Sequence, residues 1–271
     1  MARDIVPLVD YYSLESPIAT ELRRLLHNIQ RNAAEGELKS ILLTSATTGE
    51  GKSTLSSLLA ITAAKKGLKT LLIDCDMRRP TLHKLFTVER RHGLTEVLCE
   101  GVAGKSVIKK TTLDTLDLIT AGSSTPNPTE LFDARQIGAL IAEQKFYYDY
   151  VFIDSPPVIP VSDPMLLAQE VDGTLLVIKA GDTAREVVAR ATEIMSSSET
   201  NLMGAVLNNV NGSLPYYYDY THYNYDYSPK PEKGSQRKSK SSRNPKPSNS
   251  RTMNRSTGDS SVEDGKKKIH R

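Results

Sequence analysis

The chain has 271 residues, a formal net charge of +3 at pH 7 and only two cysteines. Two cysteines are too few for a disulfide scaffold. The sequence contains no run of 18 consecutive apolar residues, which a membrane-spanning helix would need, and its N-terminus lacks the apolar core of a signal peptide. Charge divides the chain, because residues 228–271 carry 13 Lys and Arg against 4 Asp and Glu, whereas residues 1–227 carry 22 against 28. We therefore expect a cytoplasmic, acidic globular part, followed by a basic tail that buries too little apolar surface to fold alone.

Short apolar segments alternate with segments of helical period along the acidic part. A helix is predicted over 17–32, before the first strand. The strands are nearly continuous runs of Leu, Ile and Val, which is typical of parallel strands buried on both faces. The predicted strands are 40–45, 70–75, 116–120, 150–154, 174–179 and 203–207. The later predicted helices are at about 52–66, 128–144, 163–169 and 183–198.

This alternation predicts an α/β fold, in which a mostly parallel sheet carries helices on both faces. A single domain over residues 14–212 accounts for the folded part. We expect it to be preceded by an N-terminal segment, 1–13. A tyrosine-rich segment, 213–227, and a basic disordered tail, 228–271, follow it.

A phosphate-binding loop follows the first predicted strand. The sequence Ala-Thr-Thr-Gly-Glu-Gly-Lys-Ser over 46–53 matches the P-loop pattern, except that Ala46 replaces the first glycine. Backbone N–H groups at the start of a helix can surround a β-phosphate, Lys52 can reach the β- and γ-oxygens, and Ser53 can bind Mg²⁺. The fold is therefore expected to be P-loop NTPase-like. The predicted nucleotide-binding residues of the loop are Gly49, Glu50, Gly51, Lys52, Ser53 and Thr54.

Two acidic motifs follow other buried strands. Asp74 and Asp76 come at the end of the second strand, and Asp154 ends the fourth. Open α/β sheets bind ligands beyond the carboxyl ends of their strands, so these carboxylates are predicted to hold Mg²⁺ with Ser53 and to form a catalytic set with Lys52. For either motif alone, a carboxylate that caps a helix is an open alternative. Cys75, between the two aspartates, is expected to face the core because side chains alternate along an extended chain.

Seven of the twelve tyrosines lie between residues 216 and 227, where Asp, Asn, Thr and His separate them and no apolar period is present. Downstream of a nucleotide site, this row of hydroxyls predicts acceptors of phosphate. A self-associating aromatic–polar segment is the alternative. The predicted acceptors are Tyr216, Tyr217, Tyr218, Tyr220, Tyr223, Tyr225 and Tyr227.

Together these motifs resemble the bacterial tyrosine kinases that control capsule and exopolysaccharide synthesis. The resemblance rests on three Walker motifs in order, at 46–53, 72–78 and 153–157, and on the terminal tyrosine cluster; it covers about residues 14–227. It implies ATP- and Mg²⁺-dependent autophosphorylation of the cluster in trans, within a ring of subunits. The related P-loop ATPases also suggest that Asn208 contacts adenine.

The same resemblance implies partners. Ring contacts in the family use a Glu-x-x-Arg-x-x-Arg motif, of which this chain keeps Glu21 and Arg24 but has His27 at the third position, a weaker cation near neutral pH. A solvated pair of Glu21 and Arg24 is the alternative. A separate transmembrane activator of the chain-length-regulator kind is expected to recruit the kinase to the inner face of the membrane. A protein-tyrosine phosphatase and further protein substrates are expected, and no specific nucleic acid.

Two other classes of protein remain open from the sequence. A partitioning or cell-division-site ATPase would share the fold, but those ATPases carry a signature lysine at the position of Thr47 and lack the tyrosine cluster. A nucleotide-switched scaffold would instead act through its basic tail, on anionic lipid or nucleic acid; a loosely attached tail that only keeps the protein in solution is the alternative. Stoichiometric phosphotyrosine after incubation with ATP and Mg²⁺ distinguishes a kinase from both.

Overall fold

The computed structural model describes residues 7–32, 38–196 and 200–209. The tyrosine cluster and the basic tail lie outside the described residues, so the predictions made for them are not tested by the fold. Strands and helices alternate along the described chain, as the sequence predicts. The strands are β1 Ser40–Ser45, β2 Thr70–Asp74, β3 Lys109–Lys110, β4 Leu116–Ile119, β5 Tyr150–Asp154, β6 Gly173–Lys179 and β7 Leu202–Asn208.

The seven strands form one sheet in the order β3-β4-β2-β5-β1-β6-β7. Every neighbouring pair is parallel except β3 with β4. A 3₁₀ turn, Gly104–Ser106, precedes β3. The helices are α1 Leu8–Tyr11, α2 Pro17–Asn32, α3 Lys52–Lys65, α4 Leu82–Leu85, α5 Leu94–Glu100, α6 Pro128–Leu131, α7 Ala134–Gln144, α8 Asp163–Leu167 and α9 Arg185–Ser196.

The sheet separates two apolar cores. In β1, Ile41 and Leu43 face the core formed with α1 to α4, whereas Leu42 faces the core formed with α5, α7, α8 and α9. Every residue of β1, β2, β4 and β5 is buried. Burial on both faces is why these strands appear in the sequence as continuous apolar runs.

The first core extends further toward the N-terminus than expected. Val9 and Tyr12 are buried in it. The Tyr12 hydroxyl lies 2.6 Å from Oγ1 of Thr62 in α3, and Lys65 Nζ donates to the Tyr12 carbonyl at 2.7 Å. The folded part therefore begins before residue 14, where the sequence placed the start of the domain.

The single helix predicted over 128–144 was wrong. Two helices occupy this range, because Phe132 is extended and Asp133 starts a new helix. The Asp133 carboxylate accepts the N–H of Gln136 at 3.1 Å, which satisfies one of the free donors at a helix start. The other predicted helices and strands differ from the observed ones by no more than two residues at either end.

Candidate active site

The order of the central strands determines where the site forms. Strand β5 lies between β1 and β2, and its last residue, Asp154, is in register with Leu43 of β1 and Asp74 of β2. Because all three strands are parallel, their carboxyl ends meet at one edge of the sheet. The P-loop and both acidic motifs are thereby brought together, as the sequence predicts.

The P-loop connects β1 to α3 in a conformation that requires glycine. Gly49 and Gly51 have φ angles of +81° and +88°, and Gly51 is the N-cap of α3. No side chain caps this helix, so the N–H groups of its first turn are free to bind an anion. A Cβ atom on Gly51 would lie 2.1 Å from Asn208 Nδ2, so any larger residue requires the Asn208 side chain to move away from the loop.

Glu50 and Asn208 support the loop from the protein side. Glu50 is buried, and its Oε1 accepts the N–H of Thr47 at 2.8 Å and the Thr47 hydroxyl at 2.7 Å. Its backbone carbonyl accepts the amide of Asn208 at 2.8 Å. The side chains of both residues, predicted as nucleotide ligands, therefore brace the loop in this structure; the adenine contact of Asn208 stays a prediction.

Lys52 lies among three carboxylates. Its Nζ is 3.0 Å from Oδ2 of Asp76, and the two side chains are only 13% and 5% exposed. Burial alone would lower the pKa of Lys52, but the charges of Asp154, Asp76 and Asp74 outweigh it and raise the pKa above its ordinary value. Lys52 is therefore a firmly protonated cation at the point where the loop is open to an anion.

Asp154 is fully buried, and within the described part of the chain neither of its carboxylate oxygens accepts a hydrogen bond of standard geometry, although the hydroxyls of Ser53 and Ser56 lie near enough to act on its pKa. Burial raises its pKa, the charge of Lys52 and the nearby hydroxyls of Ser53 and Ser56 lower it, and the charge of Asp76 raises it, with a net increase. An unpaired buried carboxylate is costly, so this position favours a bound cation.

Asp74 has a different environment from Asp76. Its two oxygens accept the backbone N–H groups of Asp76 at 3.2 Å and of Thr81 and Leu82 at 3.1 Å each. Burial and the charge of Asp154 raise its pKa, whereas the N–H groups of Leu82 and Thr81 oppose the increase. Asp74 thus attaches the segment after β2 to the sheet, in the manner of the helix-capping alternative, and Asp76 is the carboxylate that contacts Lys52.

The donor set fits Mg²⁺ held jointly with a nucleotide. Mg²⁺ takes oxygen ligands and is commonly held by one or two carboxylates together with substrate phosphates. Among the residues that the structure describes, no group of three or more His, Cys, Asp or Glu side chains could hold a metal ion by itself. Ser53 and Asp154 would hold the ion, with Asp76 and Asp74 beside them, and the ion would neutralise charge on the phosphates.

A cleft of about 430 Å³ opens over these residues. Its lining includes the arginines Arg78 and Arg79 and an apolar group that comprises Pro156, Pro157, Pro160 and Val161. Arg79 is a cleft residue that was not among the predicted site residues, although a pair of arginines directly after Asp74 and Asp76 was a signal for it. Cys75 is buried in the core formed with α5, α7, α8 and α9, which confirms the prediction that it faces the core.

Comparison with known proteins assigns the family. The AAA domain family model matches residues 38–203. Tyrosine-protein kinase YwqD of Bacillus subtilis is 36% identical over 220 residues, which cover 81% of this chain and 92% of YwqD. Tyrosine-protein kinase CpsD of Streptococcus agalactiae is 37% identical, over 71% of this chain and 84% of CpsD.

The chain belongs to the bacterial tyrosine kinases. The kinase domain of Escherichia coli tyrosine kinase ETK superposes with a TM-score of 0.73 at 30% identity, over 80% of this chain and 86% of that domain. The chimerical protein CapA2B2 gives 0.69 at 33% identity, over 74% and 89% of the two chains. MinD of Pyrococcus horikoshii, at 20% identity over 63% and 70%, with a TM-score of 0.56, shares the fold alone. This kinase is therefore a P-loop enzyme with a nucleotide site at the carboxyl edge of its sheet.

The residues of the expected ring motif lie on α2. Glu21 Oε1 and Arg24 Nη1 form an ion pair of 2.6 Å, with side chains 41% and 68% exposed. His27 is exposed one turn further along. The described residues contain no helix with the length and apolar character needed to cross a membrane.

Proposed function

We propose that this kinase transfers the γ-phosphoryl group of ATP, bound with Mg²⁺, to tyrosines of its own C-terminal cluster, in trans between subunits. The phosphorylation state would regulate capsular or exopolysaccharide synthesis and export. The family membership and the phosphate-binding loop support this proposal. The observation that carries it is the buried ion pair of Lys52 with Asp76, which lies at the P-loop together with the fully buried carboxylate of Asp154.

Each residue of the site has a proposed part. The backbone of Gly49, Gly51 and Lys52 would bind phosphate oxygens, with Glu50 and Thr54 completing the loop. The Lys52 ammonium would leave Asp76 for the phosphate oxygens and neutralise their charge. The freed Asp76 carboxylate would then accept the proton of the attacking tyrosine hydroxyl, which is protonated near neutral pH.

The place where β7 ends supports the acceptor assignment. Its last residue, Asn208, contacts the P-loop at Glu50. The first tyrosine of the cluster comes eight residues later in the sequence. An extended segment of that length spans at most about 28 Å, which limits how far Tyr216 can lie from Asn208.

The proposed partners follow from the same family. A separate transmembrane activator would dock the kinase at the inner face of the membrane, and a protein-tyrosine phosphatase would reset the cluster. Subunits would associate in a ring through Glu21, Arg24 and His27. The exposed pair of Glu21 and Arg24 contributes little to the stability of one subunit, which leaves both side chains available for a neighbour.

An anti-phosphotyrosine blot of three purified chains tests the proposal. With ATP and Mg²⁺, the wild-type chain should gain phosphotyrosine, whereas Lys52→Met and a chain truncated after Pro215 should not. Signal in Lys52→Met would contradict the enzymatic assignment. Retained signal in the truncated chain would contradict the acceptor assignment.

A further inference from the structure

Arg79 is an exposed cation of the cleft, and its side chain makes no polar contact with the described part of the chain. Within residues 7–32, 38–196 and 200–209, its guanidinium forms no hydrogen bond or ion pair, whereas its backbone is fixed by the N–H that donates to Asp76 Oδ1 at 2.9 Å. A fixed backbone with a free cationic head group is an arrangement suited to binding an anionic ligand.

The neighbouring arginine shows the contrast. Arg78 Nη2 donates to the hydroxyl of Thr129 at 2.8 Å, and its Nε lies 3.5 Å from Asp163. Lys52, deeper in the cleft, is paired with Asp76. Arg79 is therefore the cleft cation that has no partner in the described part of the chain.

The apolar part of the cleft lining suits an aromatic ring. It comprises Pro156, Pro157, Pro160 and Val161. A tyrosine that enters the cleft would lay its ring against these apolar residues, with its hydroxyl directed toward the phosphate loop. The residues beside that tyrosine would then lie at the solvent-exposed part of the cleft, to which Arg79 belongs.

The sequence of the tyrosine cluster has carboxylates directly beside its tyrosines. Asp219 lies between Tyr218 and Tyr220, and Asp226 lies between Tyr225 and Tyr227. Four of the seven acceptor tyrosines therefore have an aspartate as an immediate neighbour, with Cα atoms about 3.8 Å apart. Guanidinium binds carboxylate through two parallel hydrogen bonds, which makes arginine a selective partner for such a group.

We propose that Arg79 is a specificity-determining residue, whose guanidinium binds the acidic side chain adjacent to the acceptor tyrosine. This inference rests on the proposed function. It implies that the kinase selects tyrosines with an aspartate or glutamate next to them. Arg79 could alternatively bind the nucleotide phosphates, and the two roles predict opposite results when nucleotide affinity and peptide selectivity are measured separately.

The test uses the full-length kinase and three synthetic peptides that correspond to residues 213–227. One peptide has the native sequence, one has both aspartates replaced by Asn, and one has both replaced by Lys. Peptide phosphorylation is measured by mass spectrometry as kcat and KM, and ADP affinity by calorimetry. The enzymes are wild type, Arg79→Lys, Arg79→Glu and a control, Lys66→Glu, which changes an exposed cation at the opposite end of α3.

For wild type and Lys66→Glu we expect the Asn peptide to lose about tenfold in kcat/KM, mainly through KM, because one charge-assisted pair is lost. Arg79→Lys should retain part of this preference. Arg79→Glu should prefer the Lys peptide, with an ADP affinity within about twofold of wild type.

Three results would overturn the inference. If the wild-type enzyme is active and has the same kcat/KM on all three peptides, Arg79 does not determine specificity, and the proposed function is unaffected. Weakened ADP binding in Arg79→Glu without a change of peptide preference assigns Arg79 to the nucleotide instead. A wild-type enzyme that phosphorylates no tyrosine, in peptide or in its own chain, removes the proposed function and this inference together.

Discussion

At the scale of single residues, the electrostatics of the site depend on Lys52. Its ammonium is held protonated by three carboxylates and lies at an open helix N-terminus. We predict that Lys52→Met lowers phosphotransfer by at least about 10²-fold, because the mutation removes a positioned charge that stabilises the transferring group. Steady-state autophosphorylation with radiolabelled ATP measures the loss.

A charge-conserving variant is the control for this prediction. Lys52→Arg keeps a cation in the same place and should retain more activity than Lys52→Met, while thermal unfolding shows that both variants remain folded. Activity of Lys52→Met within tenfold of wild type would contradict the proposed role.

The two P-loop glycines allow backbone strain to be separated from steric conflict. Both have φ above +80°, but a Cβ on Gly49 meets nothing within 4 Å, whereas one on Gly51 meets Asn208. We predict that Gly49→Ala costs about 1–2 kcal/mol of unfolding free energy, from the left-handed conformation alone, and that Gly51→Ala costs more. Urea denaturation of both variants measures the difference. Adding Asn208→Ala to Gly51→Ala should recover part of the excess; no recovery would show that Asn208 is not the obstacle.

At the scale of the elements, Glu96 joins α5 to the loop after β4. Its carboxylate accepts the N–H groups of Gly93 at 2.7 Å and Ser123 at 3.1 Å, and also the Ser123 hydroxyl. Burial would raise its pKa, but these hydrogen bonds outweigh burial and lower the pKa to about 2. A carboxyl group whose pKa is lower in the folded than in the unfolded chain stabilises the fold at any pH above its unfolded pKa. This stabilisation is lost as the pH falls from the unfolded pKa to the folded pKa.

We therefore predict that Glu96→Gln lowers the unfolding free energy by about 1–3 kcal/mol at pH 7, since hydrogen bonds to a buried charge are weakened. The difference from wild type should shrink between about pH 4.5 and pH 2, the interval between the ordinary and the lowered pKa. Urea denaturation at pH 7 and pH 3.5 measures it. Glu100→Gln, an exposed change on the same helix, is the control and should be neutral at both pH values.

The elements also show what a sequence can predict. The four central strands were predictable because burial on both faces leaves a continuous apolar run, and the P-loop and Asp154 follow from local motifs. The break in the helix at Asp133 was missed because the spacing of apolar residues does not reveal a side chain that caps the start of a second helix. The contact of Asn208 with Glu50 joins residues 158 positions apart, so no local pattern predicts it. The short elements α1, α4, α5 and β3 contain too few residues for a period to be recognised.

At the scale of the whole molecule, phosphorylation should oppose assembly. Each phosphotyrosine adds about 1.5 to 2 negative charges, so several of them outweigh the +9 charge of residues 228–271 and repel neighbouring subunits. We predict that full phosphorylation disassembles the proposed ring of subunits into smaller species. Multi-angle light scattering before and after incubation with ATP and Mg²⁺ measures this, and an equal mass in both states would contradict it.

In the proposed reaction, one subunit phosphorylates the tyrosine cluster of another. The most direct measurement mixes an active chain truncated after Pro215, which lacks the cluster, with a full-length Lys52→Met chain, which keeps the acceptors but lacks the phosphate-binding lysine. After addition of ATP and Mg²⁺, we expect phosphotyrosine on the full-length chain at residues 216–227, with none when either chain is incubated alone. If the full-length chain stays unphosphorylated in the mixture, although wild type phosphorylates itself under the same conditions, phosphorylation between subunits is ruled out.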